Sequence, residues 1–232
     1  AFSAGDAGSA AAAEWPAPAK MAFDDAPQKT YEEAAAAILK SSRQNTGFCL
    51  IVGNEQGRLA AALAEQSDLT IFAVEDDPAK VRAARQRLEA AGLHGSRVTV
   101  FEGDESQIPF SNYFANLIVS ETQLATGRMP GDAAGVARFL KPCGGVVMLA
   151  PGQQSDGNTD WTAELLREVH GETSVQDGWS LLTRGQLPGA GSWSHQYGNA
   201  ATTSLSDDAR VRDGLGVLWY GGPGPSSMIN RH

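Results

Sequence analysis

The sequence predicts an α/β protein with a mostly parallel sheet and helices on both faces. Three observations predict it. Short apolar runs alternate with amphipathic segments from about residue 48 to 149. The first run, Phe48–Val52, ends in a turn carrying Gly53 and Gly57, and a helical segment follows. The second run, Thr70–Val74, ends on an acid, Glu75, eighteen residues beyond Gly57.

The elements follow in order. Residues 1–28 are rich in Ala, Gly, Ser and Pro, lack a buried-face period and read as a flexible arm. Thr30 with Glu33 makes a capping box that predicts a helix over Tyr31–Lys40. A strand is expected over 48–52, then a helix over Arg58–Gln66 with Leu59, Ala62 and Leu63 on one face. The second strand covers 70–74. Asp77 then caps, and Pro78 opens, a helix that ends at Gly92 with Val81, Ala84, Leu88 and Ala91 facing inward. Arg97–Phe101 and Ala115–Ser120 are the third and fourth strands, Asp132–Leu140 a helix and Gly145–Leu149 a fifth strand. Trp161–His170 reads as a helix closed by Gly171, and Ser174–Asp177 with Trp179–Arg184 as a pair of strands turning at Asp177 and Gly178. This body spans 29–184. Residues 185–232 form an irregular, Gly/Ser/Asn-rich tail with too few apolar residues for a core of its own.

Composition narrows the partners. Of 232 residues, 42% are hydrophobic, enough for one large domain with extensions. The net charge is −9 and the pI about 4.9, and no Lys/Arg cluster offers a basic patch, so a nucleic-acid partner is not expected. The two cysteines, Cys49 and Cys143, lie far apart and predict neither a disulfide framework nor a metal site. No run is apolar and long enough to span a membrane, and no secretory signal is visible, so a cytoplasmic protein without a membrane partner is expected.

Strand, glycine turn, helix, strand, acid is the layout by which a parallel sheet binds the adenosine part of a cofactor. Gly53 permits the sharp turn and Gly57 a close approach of the helix. Three further features continue the series. They are Glu102-Gly103-Asp104-Glu105 after strand three, Asn116 to Glu121 along strand four, and Leu140-Lys141-Pro142-Cys143-Gly144-Gly145 before strand five. In this order and spacing the chain resembles the class I S-adenosylmethionine-dependent methyltransferases, with their Rossmann-like sheet, over about residues 30–184.

The resemblance implies methyl transfer from S-adenosylmethionine to a small-molecule nucleophile, leaving S-adenosylhomocysteine. It implies roles too: Gly53, Asn54, Glu55 and Gly57 beneath the methionine and ribose, Glu75 on the ribose hydroxyls, Asp76 beside the adenine. Asp104 would accept from the adenine amino group and the Glu105 backbone would donate to the ring. Ser120 and Glu121 would line the pocket, with Glu121 the candidate base. Three positions depart from the family pattern, the mildest being Asn116, where an acid often opens strand four. Ile51 stands where an acid is usual two residues before the first glycine, and Glu55 where glycine is usual. Glu55 either replaces the missing carboxylate or crowds the site. No Asn/Asp-Pro-Pro-Tyr motif follows strand four, which argues against base methylation on nucleic acids.

In the tail, residues 187–198 and 216–225 resemble the entry of a pyrroloquinoline-quinone-type β-propeller, which implies a larger, propeller-containing parent protein. The rival reading is therefore a non-catalytic S-adenosylmethionine-binding module of such a protein. A nicotinamide-dependent oxidoreductase is disfavoured by the turn before strand five and by the absence of a Tyr-x-x-x-Lys pair.

Overall fold

The structure, a computed structural model, describes residues 23, 26–104, 108–151 and 156–211. The chain divides into two compact units between Leu187 and Pro188.

The first unit is built on a seven-stranded sheet of order β3-β2-β1-β4-β5-β7-β6. Its strands are β1 (Thr46–Val52), β2 (Asp68–Glu75), β3 (Val98–Glu102), β4 (Leu117–Val119), β5 (Val146–Leu149), β6 (Glu172–Gln176) and β7 (Trp179–Thr183). Pairings among β1 to β5 are parallel, and β7 runs antiparallel to both β5 and β6. The strand order reverses direction at β1, and it is outside the carboxyl ends of the strands at such a switch point that α/β sheets open a crevice.

Period-two alternation divides the strand side chains between two cores. Cys49, Ile51, Ile71, Ala73, Leu117 and Val119 pack in one; Leu50, Val52, Phe72, Val74 and Ile118 pack in the other. Helices α1 (Ala26–Ser42), α2 (Arg58–Gln66) and α3 (Pro78–Ala90) supply Ile38, Leu59, Leu63, Val81 and Leu88 to the first. Helices α5 (Ala133–Ala137) and α6 (Asp156–Val169) supply Val136, Leu165 and Val169 to the second. The sheet is thus covered on both faces, which is why β4, β5 and the second half of β1 are apolar and buried throughout.

Three expectations are corrected. The helix predicted from Tyr31 begins at Ala26, and Thr30 lies inside it, so the Thr30/Glu33 box is not a cap. Pro27 fits this earlier start, because a proline in the first turn loses no intrahelical hydrogen bond. The arm accordingly ends before residue 28: Phe23 is 4% exposed, and the Arg58 guanidinium lies 4.9 Å from its ring centre. Trp15, the one residue of the arm expected to dock on the body, lies outside the described residues. Strand four is only Leu117–Val119, and Ser120 caps a short helix α4 (Glu121–Thr126) that the sequence reading missed, its Oγ accepting from Gln123 N–H at 3.0 Å.

Residues 184–185 belong to the first unit. Arg184 donates to Ala137 O at 2.6 Å and Leu140 O at 3.0 Å, and Gly185 O accepts from Cys143 N–H at 3.0 Å. In the second unit, Asp208 accepts from the Gly191, Arg210 and Val211 N–H groups. Among its described residues, 188–211, the one β pairing is an isolated bridge between His195 and Gly198. The propeller-entry reading of the tail therefore gains no support, and residues 216–225 lie outside the described residues.

Candidate functional site

The site forms where β1, β2 and β3 end. Gly53 N–H donates to Val74 O and Gly103 N–H to Glu75 O, both at 2.9 Å, so the turns leaving the three strands are tied in series. A cavity of about 380 Å³ opens over them, lined by Val52, Gly53, Glu55, Glu75, Asp76 and Asp104 among others. Its volume falls in the range of small-molecule sites.

Glu75 is 6% exposed. Its Oε2 accepts from Asn54 N–H at 2.9 Å and its Oε1 from Asp77 N–H at 3.2 Å. Each oxygen keeps a further lone pair for a ligand hydroxyl. Burial raises its pKa, opposed by those two N–H groups and by Lys80. Asp77 in turn caps α3, its Oδ1 accepting from Ala79 N–H at 2.7 Å. The predicted Asp76, Gly103 and Asp104 all join Glu75 in the cavity wall. Glu105 lies outside the described residues.

The two glycines of the turn are required by protein packing. Gly53 has φ +74°, and a Cβ there would stand 2.5 Å from Thr122 Oγ1 and 2.7 Å from Pro130 Cγ. Gly57 has φ +82°, and a Cβ would press on Leu88 Cδ1 at 3.2 Å, so α2 and α3 close against each other there. Between them, Asn54 is fully buried, and neither its Oδ1 nor its Nδ2 has a hydrogen-bond partner among the described residues. An orphaned buried amide costs about 1–3 kcal/mol.

Glu121 is where the structure departs most from expectation. It is fully buried and does not line the cavity. Its carboxylate accepts from the N–H groups of Gln56 at 3.3 Å, Gly57 at 3.0 Å and Arg58 at 3.1 Å. Helix α2 has no cap from Gly57 itself, and Glu121 supplies one from the end of the neighbouring strand β4, with a carboxylate at the positive end of the helix dipole. Burial pushes its pKa up to about 7, against those three N–H groups. A carboxylate so enclosed is unsuited to the expected role of base, since it meets no ligand space. Ser120 is likewise turned inward as the cap of α4.

Ile51, where the family pattern has an acid, is fully buried in the apolar core. Glu55 instead faces the cavity. Its Oε1 accepts from Thr122 Oγ1 at 2.8 Å, and its Oε2 pairs with Lys80 Nζ at 2.7 Å. Burial raises the Glu55 pKa, but hydrogen bonds from Lys80 and Thr122 outweigh it and leave the carboxyl below its usual value. Lys80, Thr122, Pro130 and Gly131 were missed by sequence reasoning. Lys80 left one signal, a cation in the first turn of a helix, where the dipole opposes it.

No family model and no curated protein matches the chain. Solved structures do. A protein of Methanococcus maripaludis assigned as an S-adenosylmethionine-dependent methyltransferase is 22% identical, with a TM-score of 0.51 over 69% of this chain and 86% of its own. The fold is that of the class I methyltransferases. A methyltransferase from Aquifex aeolicus aligns over 70% of this chain and 98% of its own, at 14% identity and a TM-score of 0.48. A geranyl diphosphate methyltransferase bound to S-adenosylmethionine aligns over 67% and 85%, at 13% identity and a TM-score of 0.47. This methyltransferase-like unit carries both cysteines as free thiols, Cys49 buried and Cys143 exposed. Among the described residues there is no metal-ligand cluster, and no helix is long and apolar enough to cross a membrane.

Proposed function

We propose that the first unit binds S-adenosylmethionine in the cavity at the ends of β1 to β3 and directs its methyl group to a small-molecule nucleophile. One observation carries the reading: Glu75 and Asp104 flank one cavity from adjacent parallel strand ends. Two carboxylates so placed suit a ligand with vicinal hydroxyls at one end and an amine at the other. The lining also holds four acids, Glu55, Glu75, Asp76 and Asp104, against Lys80. That balance favours a cationic sulfonium over an anionic dinucleotide or a nucleic acid.

When bound, S-adenosylmethionine supplies a methyl group on a good leaving group. The chain's task is to hold and orient. Glu75 accepts from the ribose hydroxyls, Asp76 and Asp104 border the adenine, and the Gly53–Gly57 turn, fixed by Glu121, sets the floor. Alignment of the acceptor supplies most of the rate. A separate, mostly apolar cavity of about 230 Å³, lined by Pro27, Thr30, Tyr31, Ala34 and Leu124, has the size and character to hold a small apolar molecule.

Calorimetric titration with S-adenosylmethionine, S-adenosylhomocysteine and NADH tests the reading. The first two should bind and NADH should not. Glu75→Ala should weaken binding by about tenfold or more, for the loss of about 1.5–3 kcal/mol of charged hydrogen bonding. Unchanged affinity in a folded variant removes Glu75 from the site. A second reading, binding without turnover, is favoured by the enclosure of Glu121, which leaves that candidate base without access. Methyl transfer from labelled cofactor to any of a set of amines, phenols and thiols decides against it.

A further inference from the structure

We propose that Glu55 is the acceptor that selects a ligand with a positively charged end, and that Lys80 occupies it until such a ligand arrives. The inference rests on the cofactor reading above and names the pair that sets specificity within the same cavity.

Glu55 is fixed from two sides, by the Thr122 hydroxyl at 2.8 Å and the Lys80 ammonium at 2.7 Å. The same ammonium is 4.0 Å from Glu75 Oε1. It therefore stands between two carboxylates of one cavity wall, and a ligand that reaches from Glu75 to Glu55 has to move it. Lys80 can leave at little cost. Its side chain is 36% exposed, its stem is flexible, and its place in the first turn of α3 sets it against the helix dipole.

Glu55 is less free to follow, because its side chain is 23% exposed and tied to Thr122. A neutral ligand that displaced Lys80 would leave a partly buried carboxylate unpaired. A ligand carrying its own ammonium exchanges one cation for another and keeps Glu55 paired. The remaining acids of the lining, Glu75, Asp76 and Asp104, add to the same preference. Discrimination then depends on the charge of the ligand's far end, although both ligands would bury the same nucleoside.

The test compares two thioethers by calorimetry: S-adenosylhomocysteine, which carries an ammonium, and 5′-methylthioadenosine, which has the same nucleoside without the amino-acid end. The wild-type chain should prefer the first by about tenfold or more. Glu55→Gln should reduce that preference to within about threefold, and Lys80→Met should widen it by removing the competitor. Thermal melts establish that each variant is folded, and the exposed Lys80 gives a readout free of core disruption. A preference unaltered in Glu55→Gln, or one not widened in Lys80→Met, overturns the inference while leaving the cofactor reading intact. A wild-type chain that binds neither compound overturns both.

Discussion

At the scale of single residues, chemistry missing at one position is supplied from another. Ile51 faces a core of Cys49, Leu59 and Val119, where a carboxylate would be desolvated and without a partner. Ile51→Asp is therefore expected to destabilise the fold by about 3 kcal/mol or more, without tightening ligand binding, as a melt run beside a titration would show. Glu121 serves the glycine turn as a cap, away from the cavity, and Glu55 is the carboxylate of that turn that lines it. The Glu121 pKa, 4.5 in an unstructured chain, rises to about 7 in the fold. The folded state thus holds this proton more tightly, so the contribution is fully present below pH 4.5 and is lost as pH rises through 7. The full loss amounts to about 3 kcal/mol. Unfolding free energies from urea curves should fall between pH 5 and pH 8 in the wild type, and the fall should be smaller by about 2.5 kcal/mol in Glu121→Gln. Equal pH dependence in the two proteins would separate Glu121 from the titration.

Among the elements, α2 and α3 set the site because each begins where a strand ends on the cavity. Helix α3 carries its own cap, Asp77, and a proline at its start. Asp77→Ala should cost about 1 kcal/mol, an ordinary cap loss, measured as a shift in the denaturation midpoint. Helix α2 is different: it is short, buried from Arg58 to Ala64, and capped only from α4. Gly57→Ala should cost more than the Asp77 variant, about 2 kcal/mol, since it adds a Cβ at φ +82° against Leu88. A cost equal to or below that of Asp77→Ala would mean that the two helices can separate there without penalty.

For the whole molecule, the division at Leu187 and Pro188 makes the first unit testable by itself. The predicted boundary at 184/185 cuts inside it, since Gly185 O accepts from Cys143 N–H in the turn before β5. A chain ending at Leu187 should keep S-adenosylhomocysteine affinity within about 1 kcal/mol, because every cavity residue precedes the cut. A folded truncation that no longer binds would place part of the site in the second unit.

The sequence by itself determined the alternation of strands and helices, the reach of α2, the Asp77–Pro78 start of α3 and the acid at the end of β2. These rest on local periodicity, capping chemistry and turn residues, which act between neighbours in the chain. It also determined that Asp104 would join Glu75, because parallel strands bring their carboxyl ends to one edge. Only the tertiary structure decided what Glu121 and Glu55 do. Glu121 caps a helix that begins 63 residues earlier, Glu55 meets Thr122 across 67 residues, and no local pattern encodes either contact. The short α4 and the early start of α1 escaped for the converse reason. Propensity over a few residues is weak there, and packing against the sheet outweighs it.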